Sequence, residues 1–139
     1  MSDSEDKAEQ FRCETLVDRG GNRVLLSAEA GKEFWALETR QQARLLANME
    51  LWVDSRQMTE KQFNGSEGRT KGGLNRMLMA FKVHKIRCYG FVCPLEGRKT
   101  FVILDIDPAK KTNKGKVRIL DRAKERVVAF ENRYGDSYA

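Results

Sequence analysis

The 139-residue chain has little of what builds a metal or redox centre: one histidine, His84, three cysteines and two prolines. A single histidine without a CxxC pair leaves no convincing tetrahedral ligand set, so no metal and no cofactor is expected. Cys88 and Cys93 lie five apart on an expected strand, on opposite faces, and Cys13 is far from both in sequence. Buried free thiols are therefore expected, not a disulfide framework. Long apolar runs are also missing. The longest, Met77 to Phe81, has five residues, against the roughly 20 needed to cross a bilayer, so no membrane partner is expected. The first ten residues, MSDSEDKAEQ, carry four acids and no apolar segment of the signal-peptide kind. A cytoplasmic protein is the expectation.

What the chain does have is charge. Charged residues make up 33% and hydrophobic residues 40%, which fits one folded domain. That domain is expected over residues 11–135, between an acidic disordered tail at 1–10 and a frayed end at 136–139. The net charge is +6. From Gly68 to Arg118 there are thirteen lysines and arginines against three acids (Glu96, Asp105, Asp107), a local +10. Such a segment favours an anionic partner, with RNA ahead of a membrane surface.

Two short β-type runs, 13–18 and 23–27, flank Gly20-Gly21-Asn22, residues suited to a tight hairpin turn. A short helical turn is expected at 31–37. Thr39 and Gln42 match a capping box ahead of a helix running to about Arg56, with Leu45, Leu46, Met49, Trp52 and Val53 on its apolar face. Arg44, Asn48 and Ser55 fall off that face. The stretch 57–74 holds four glycines and reads as loop, with Thr59 capping one turn that carries Phe63. Strands follow at about 76–83, 86–93 and 100–106, an antiparallel meander. Alternation along the first two is expected to give the sheet one cationic, hydrogen-bonding face. After the basic loop comes a last helix at about 116–134, with Leu120, Ala123, Val127, Phe130 and Tyr134 as its apolar stripe and Gly135 as its stop. The expected fold is α+β: a small antiparallel sheet of N-terminal strands plus a three-stranded meander, packed against two main helices.

Three stretches carry a family likeness: ETLVDRGGNRVLLSAEAGKEFWALETRQQARLL, LMAFKVHKIRCYGF and FVILDIDPAKKTNKGKVRILDRAKERVVAF, together roughly residues 14–130. In these the chain resembles the RelE/HigB-like toxin superfamily, in particular its phage-associated HigB-like branch. The resemblance implies a toxin of a toxin–antitoxin pair, cleaving mRNA on the ribosome and partnered by a small helix-turn-helix antitoxin. Asp105-Ile-Asp107-Pro108 departs from the pattern, because HigB-like members usually have a small neutral segment there. The proline that often follows the paired lysines is absent as well.

Metal-independent RNA cleavage through the 2′-OH needs a base, an acid and cationic stabilisation of the phosphorane. Lys82, His84, Arg87 and Tyr89 are the candidates for that work. His84 would serve acid–base chemistry, Arg87 would clamp the phosphate, and Tyr89 would donate a proton or stack on a base. These four converge only if the hairpin turn sits near Val83–Ile86. Lys85, Arg98, Lys110, Lys111 and Lys114 are candidate RNA contacts. The plain alternatives are an exposed turn histidine, surface arginines, a packed strand tyrosine and a solvated lysine loop. On function, the alternative to an endonuclease is a non-catalytic protein of the same fold that docks on nucleic acid or a host protein. A small ribosome- or RNA-associated factor is a third reading.

Overall fold

The computed structural model describes residues 13–109 and 113–134, with backbone alone at 113 and 114. The acidic tail and the Gly135 stop lie outside the described residues. In chain order the elements are β1 (Cys13–Arg19), β2 (Asn22–Ser27), α1 (Ala28–Phe34), α2 (Thr39–Val53), β3 (Phe63–Arg69), β4 (Met77–Val83), β5 (Ile86–Leu95), β6 (Arg98–Asp107) and α3 (Asn113–Tyr134). The fold is α+β, built on a six-stranded sheet ordered β1-β2-β6-β5-β4-β3. No described helix is long and apolar enough to cross a membrane.

The sheet is larger than expected, and it is mixed. The hairpins and the meander are antiparallel, but β2 runs parallel to β6, from Asn22 beside Lys99 to Leu26 beside Ile103. The interior place of β2 shows in its burial: Arg23 to Ser27 are all buried, as in a strand covered on both faces.

Helices pack on both faces of the sheet, so the expected cationic face is reduced, among the described residues, to Lys82 and Arg87 at its rim. On one side α1 and α2 bring Phe34, Leu45 and Met49 onto Val24, Leu26, Phe81 and Phe101. On the other, α3 brings Ala123, Val127 and Phe130 onto Leu25, Ala80, Phe91 and Val102. The apolar stripe of α3 is anchored by buried Ile119 where Leu120 was expected, and Leu120 is only partly buried. Cys88 belongs to one of these layers and Cys93 to the other, and all three cysteines are free thiols. Burial pushes the Cys93 thiol up to about 12 and that of Cys13 to about 11.

Three further expectations need correction. Thr39 is already helical and Glu38 precedes it without a side-chain cap. The capping box therefore does not form, and Gln42 instead donates its amide back to the Leu37 carbonyl at 2.9 Å. Asn48 is buried and donates to the Lys82 carbonyl at 2.8 Å, locking α2 to β4. The glycine-rich stretch expected to be loop contains β3. Phe63 ties this strand to the sheet, its ring 5.2 Å from Phe81 and 6.2 Å from Phe101. The pairing with β4 is irregular between Asn64 and Gly68, which suits an edge strand.

Candidate nucleic-acid interface

The β4–β5 turn falls on His84 and Lys85, where convergence required it. Val83 pairs with Ile86 and Lys82 with Arg87, and His84 takes the left-handed conformation at φ 54°. Across β5, Arg87 pairs with Asp107 and Tyr89 with Asp105. Lys82, Arg87 and Asp107 thus form a row over three strands, with Ala80, Tyr89 and Asp105 in the next row. Directly opposed side chains on neighbouring strands stand about 5 Å apart at Cβ. Both rows lie on the α3 side, where Ala80 and Tyr89 join the layer under that helix.

Arg87 is held by a residue from the edge strand. Its Nε donates to Glu67 Oε1 at 3.2 Å, with 27% of the arginine side chain and 12% of the glutamate exposed. The two terminal nitrogens of Arg87 make no hydrogen bond among the described residues. Lys82 Nζ donates to the Glu60 carbonyl at 2.9 Å, which leaves two of its protons unspent.

Below this rim lie two fully buried carboxylates. Asp105 accepts a two-pronged contact from Arg122 at 2.7 and 2.8 Å, and Arg126 stands 3.2 Å away. Bidentate charge-assisted bonds of this kind are among the stronger ones, and this one raises the Arg122 pKa further. Arg126 also reaches the Leu104 carbonyl and Glu29, both at 3.0 Å. Asp107 uses Oδ1 to accept the Ala109 amide at 2.9 Å. Its Oδ2 is buried and has no hydrogen-bond partner among the described residues.

The candidate catalytic residues are brought together only in part. Lys82, Arg87 and Tyr89 share a face. Tyr89 is only 4% exposed, and burial first, then the Glu67 charge, pushes its phenol up to about 12. It is a protonated packing residue with a polar tip, neither a stacking platform nor a base near neutrality. His84 turns the other way, its Nε2 3.2 Å from Nη1 of Arg44 on α2, the helix over the opposite face. A guanidinium only donates, so this contact is a hydrogen bond when Nε2 accepts. The base expected beside Arg87 is therefore absent from its side of the sheet, and the four residues do not form one site.

Lys85 is exposed in the turn, as an RNA contact requires. Arg98 is not part of this end. It pairs with Asp18 and the Gly20 carbonyl at the start of β6, about 30 Å along the strand from Asp107 by strand rise. Lys110 and Lys111 lie outside the described residues, as does the side chain of Lys114.

Sequence reasoning missed Glu67, Arg44, Arg122 and Arg126. Arg122 and Arg126 carried a readable signal, since an i, i+4 pair of arginines shares one face of a helix and Asp105 and Asp107 share one face of a strand. Glu67 carried none, because nothing marked its glycine-rich surroundings as a strand. No family model, curated protein or solved structure matches the chain.

Proposed function

We propose that this is an RNA-binding protein of RelE/HigB-like type that grips the phosphate backbone at the β4–β5 hairpin end and does not cleave it. The observation that carries the reading is that His84 turns to Arg44 on α2 while Arg87 turns to Glu67 on the α3 side. Cations remain on both sides of that end: Lys82 and Arg87 on the α3 side, Lys85 in the turn, and Arg44, beside His84, on the α2 side. Two carboxylates on this side are ion-paired. Glu67 is tied to Arg87 and Asp105 to two arginines, and Tyr89 is buried with its proton retained. Positioned cations with ion-paired carboxylates beside them and no histidine on their side bind a phosphodiester without a free base aimed at its 2′-OH. The order of elements (strands, two helices, a meander, a basic connection and a last helix) supports the family likeness. Within that reading the ribosome is the natural source of RNA, and a small helix-turn-helix protein the natural antagonist.

Fluorescence anisotropy with a labelled single-stranded RNA tests this reading. Each phosphate contact adds about 0.7 to the slope of log affinity against log salt. Three to four contacts then give a loss of about 30-fold between about 50 mM and about 200 mM salt. The same protein mixed with programmed ribosomes in a single-turnover experiment should leave the mRNA intact. An affinity indifferent to salt removes the nucleic-acid reading. Cut mRNA restores the endonuclease.

A further inference from the structure

We infer that Glu67 is a positioning residue for the phosphate contact of Arg87, an inference that rests on the RNA-binding reading above. A carboxylate beside a phosphate-binding cation would ordinarily be read as a competitor that weakens binding. The geometry here points the other way. Glu67 takes only Nε of Arg87, at 3.2 Å, and leaves the two terminal nitrogens, the pair whose spacing matches two phosphate oxygens. The glutamate is itself nearly enclosed, with 12% of its side chain exposed, so it is a fixed anchor and not a mobile surface charge. It comes from the irregular stretch between Asn64 and Gly68, where β3 departs from regular pairing with β4.

What Glu67 holds Arg87 away from is also on this face. Asp107 is the cross-strand neighbour of Arg87 and its Oδ2 is a buried acceptor with no hydrogen-bond partner among the described residues. A buried carboxylate oxygen lacking a donor is costly, so a guanidinium released by Glu67 has a strong nearby acceptor. It would fold down onto Asp107 and turn its donors into the sheet. Glu67 thus keeps Arg87 at the rim by occupying the one nitrogen that a phosphate does not need.

Three variants separate positioning from simple charge. Glu67→Ala adds one net positive charge, so an electrostatic account expects tighter RNA binding. Positioning expects binding weaker by about fivefold and a salt slope smaller by about 0.7, as for Arg87→Ala, because one phosphate contact is lost. Glu67→Asp keeps the charge but withdraws the carboxylate by one methylene, and should weaken binding in the same way. Glu67→Gln retains an acceptor oxygen for Nε and should restore the wild-type slope. Adding Arg87→Ala to Glu67→Ala should cause no further loss, as expected for two residues acting through one contact. Circular dichroism confirms folding, and if Glu67→Ala fails to fold, the aspartate and glutamine variants carry the test alone. Tighter binding by Glu67→Ala, or unchanged binding by Glu67→Asp, overturns the inference and leaves RNA binding standing. Wild-type protein whose affinity ignores salt overturns both together.

Discussion

Replacing Gly90 by alanine should cost the protein its fold. Gly90 lies in β5 at a break in register: Tyr89 opposes Asp105 and Gly90 opposes Ile103, so Leu104 is the extra residue of a bulge on β6. A Cβ built on Gly90 would stand 2.0 Å from the Val102 carbonyl oxygen and 2.7 Å from the Phe101 ring. The oxygen belongs to the backbone of a central strand, so no rotamer change relieves the collision. Either the β5–β6 ladder parts or the bulge moves, and moving it by one residue flips the side chains beyond it to the opposite face. Losses above about 4–5 kcal/mol are exceptional for one substitution, but they arise from collisions of this kind. They approach the whole stability of a small domain, about 5–15 kcal/mol. Gly97→Ala is the matched control. At φ 73°, with nothing within 4 Å of its Cβ, it suffers only local backbone strain, about 1–2 kcal/mol. Urea unfolding compares the two, and a Gly90→Ala protein with a wild-type midpoint would refute the bulge geometry.

The second large effect is expected under α3. Removing both Arg122 and Arg126 leaves Asp105 as a carboxylate with no exposed surface and only the Ile106 amide for company. An uncompensated buried charge of this sort costs about 3–5 kcal/mol. The reverse change is milder. In Asp105→Asn the arginines, 48% and 26% exposed, turn to water, and the loss is about 1–2 kcal/mol from the weakened hydrogen bonds. The ordering matters more than either figure. If denaturation shows Asp105→Asn to be the more damaging, Asp105 does more than compensate the two arginines.

The elements with strong internal periodicity were legible in the sequence. Leu45, Met49 and Val53 mark α2, and Ala123, Val127 and Phe130 mark α3, because a helix writes its buried face in its own residues. The β4–β5 turn was readable from the alternation on either side of it. Three features were not readable, each because it depends on a distant partner. The strand character of Phe63 to Arg69 comes from pairing with β4, and only Phe63 in that stretch carries an apolar signal. The parallel neighbour of β2 is fixed by topology, not by the β2 sequence. The candidate site suffered most. Alternation groups Lys82 with His84 and Arg87 with Tyr89, whereas the structure puts Lys82 with Arg87 and Tyr89, and charge counted along the chain cannot show that Glu67 approaches Arg87 from another strand. Nor could it show that Arg44 draws His84 to the far side.

The parallel pairing of β2 with β6 also constrains the order of folding. The strands β3 to β6 are consecutive antiparallel neighbours, so each can form against the last by closing a short loop. Arg23 and Thr100, by contrast, meet across 77 positions of chain, and long-range closure is slow because its entropy is lost before its contacts are made. The β1–β2 hairpin therefore docks late. A truncation within it, Leu26→Ala, should leave the refolding rate close to wild type and speed unfolding, a φ-value near zero by stopped-flow fluorescence. A slowed refolding limb would put the hairpin in the nucleus. Until it docks, β6 is an open edge carrying Phe101 to Leu104, and intermolecular strand pairing competes with completion of the sheet.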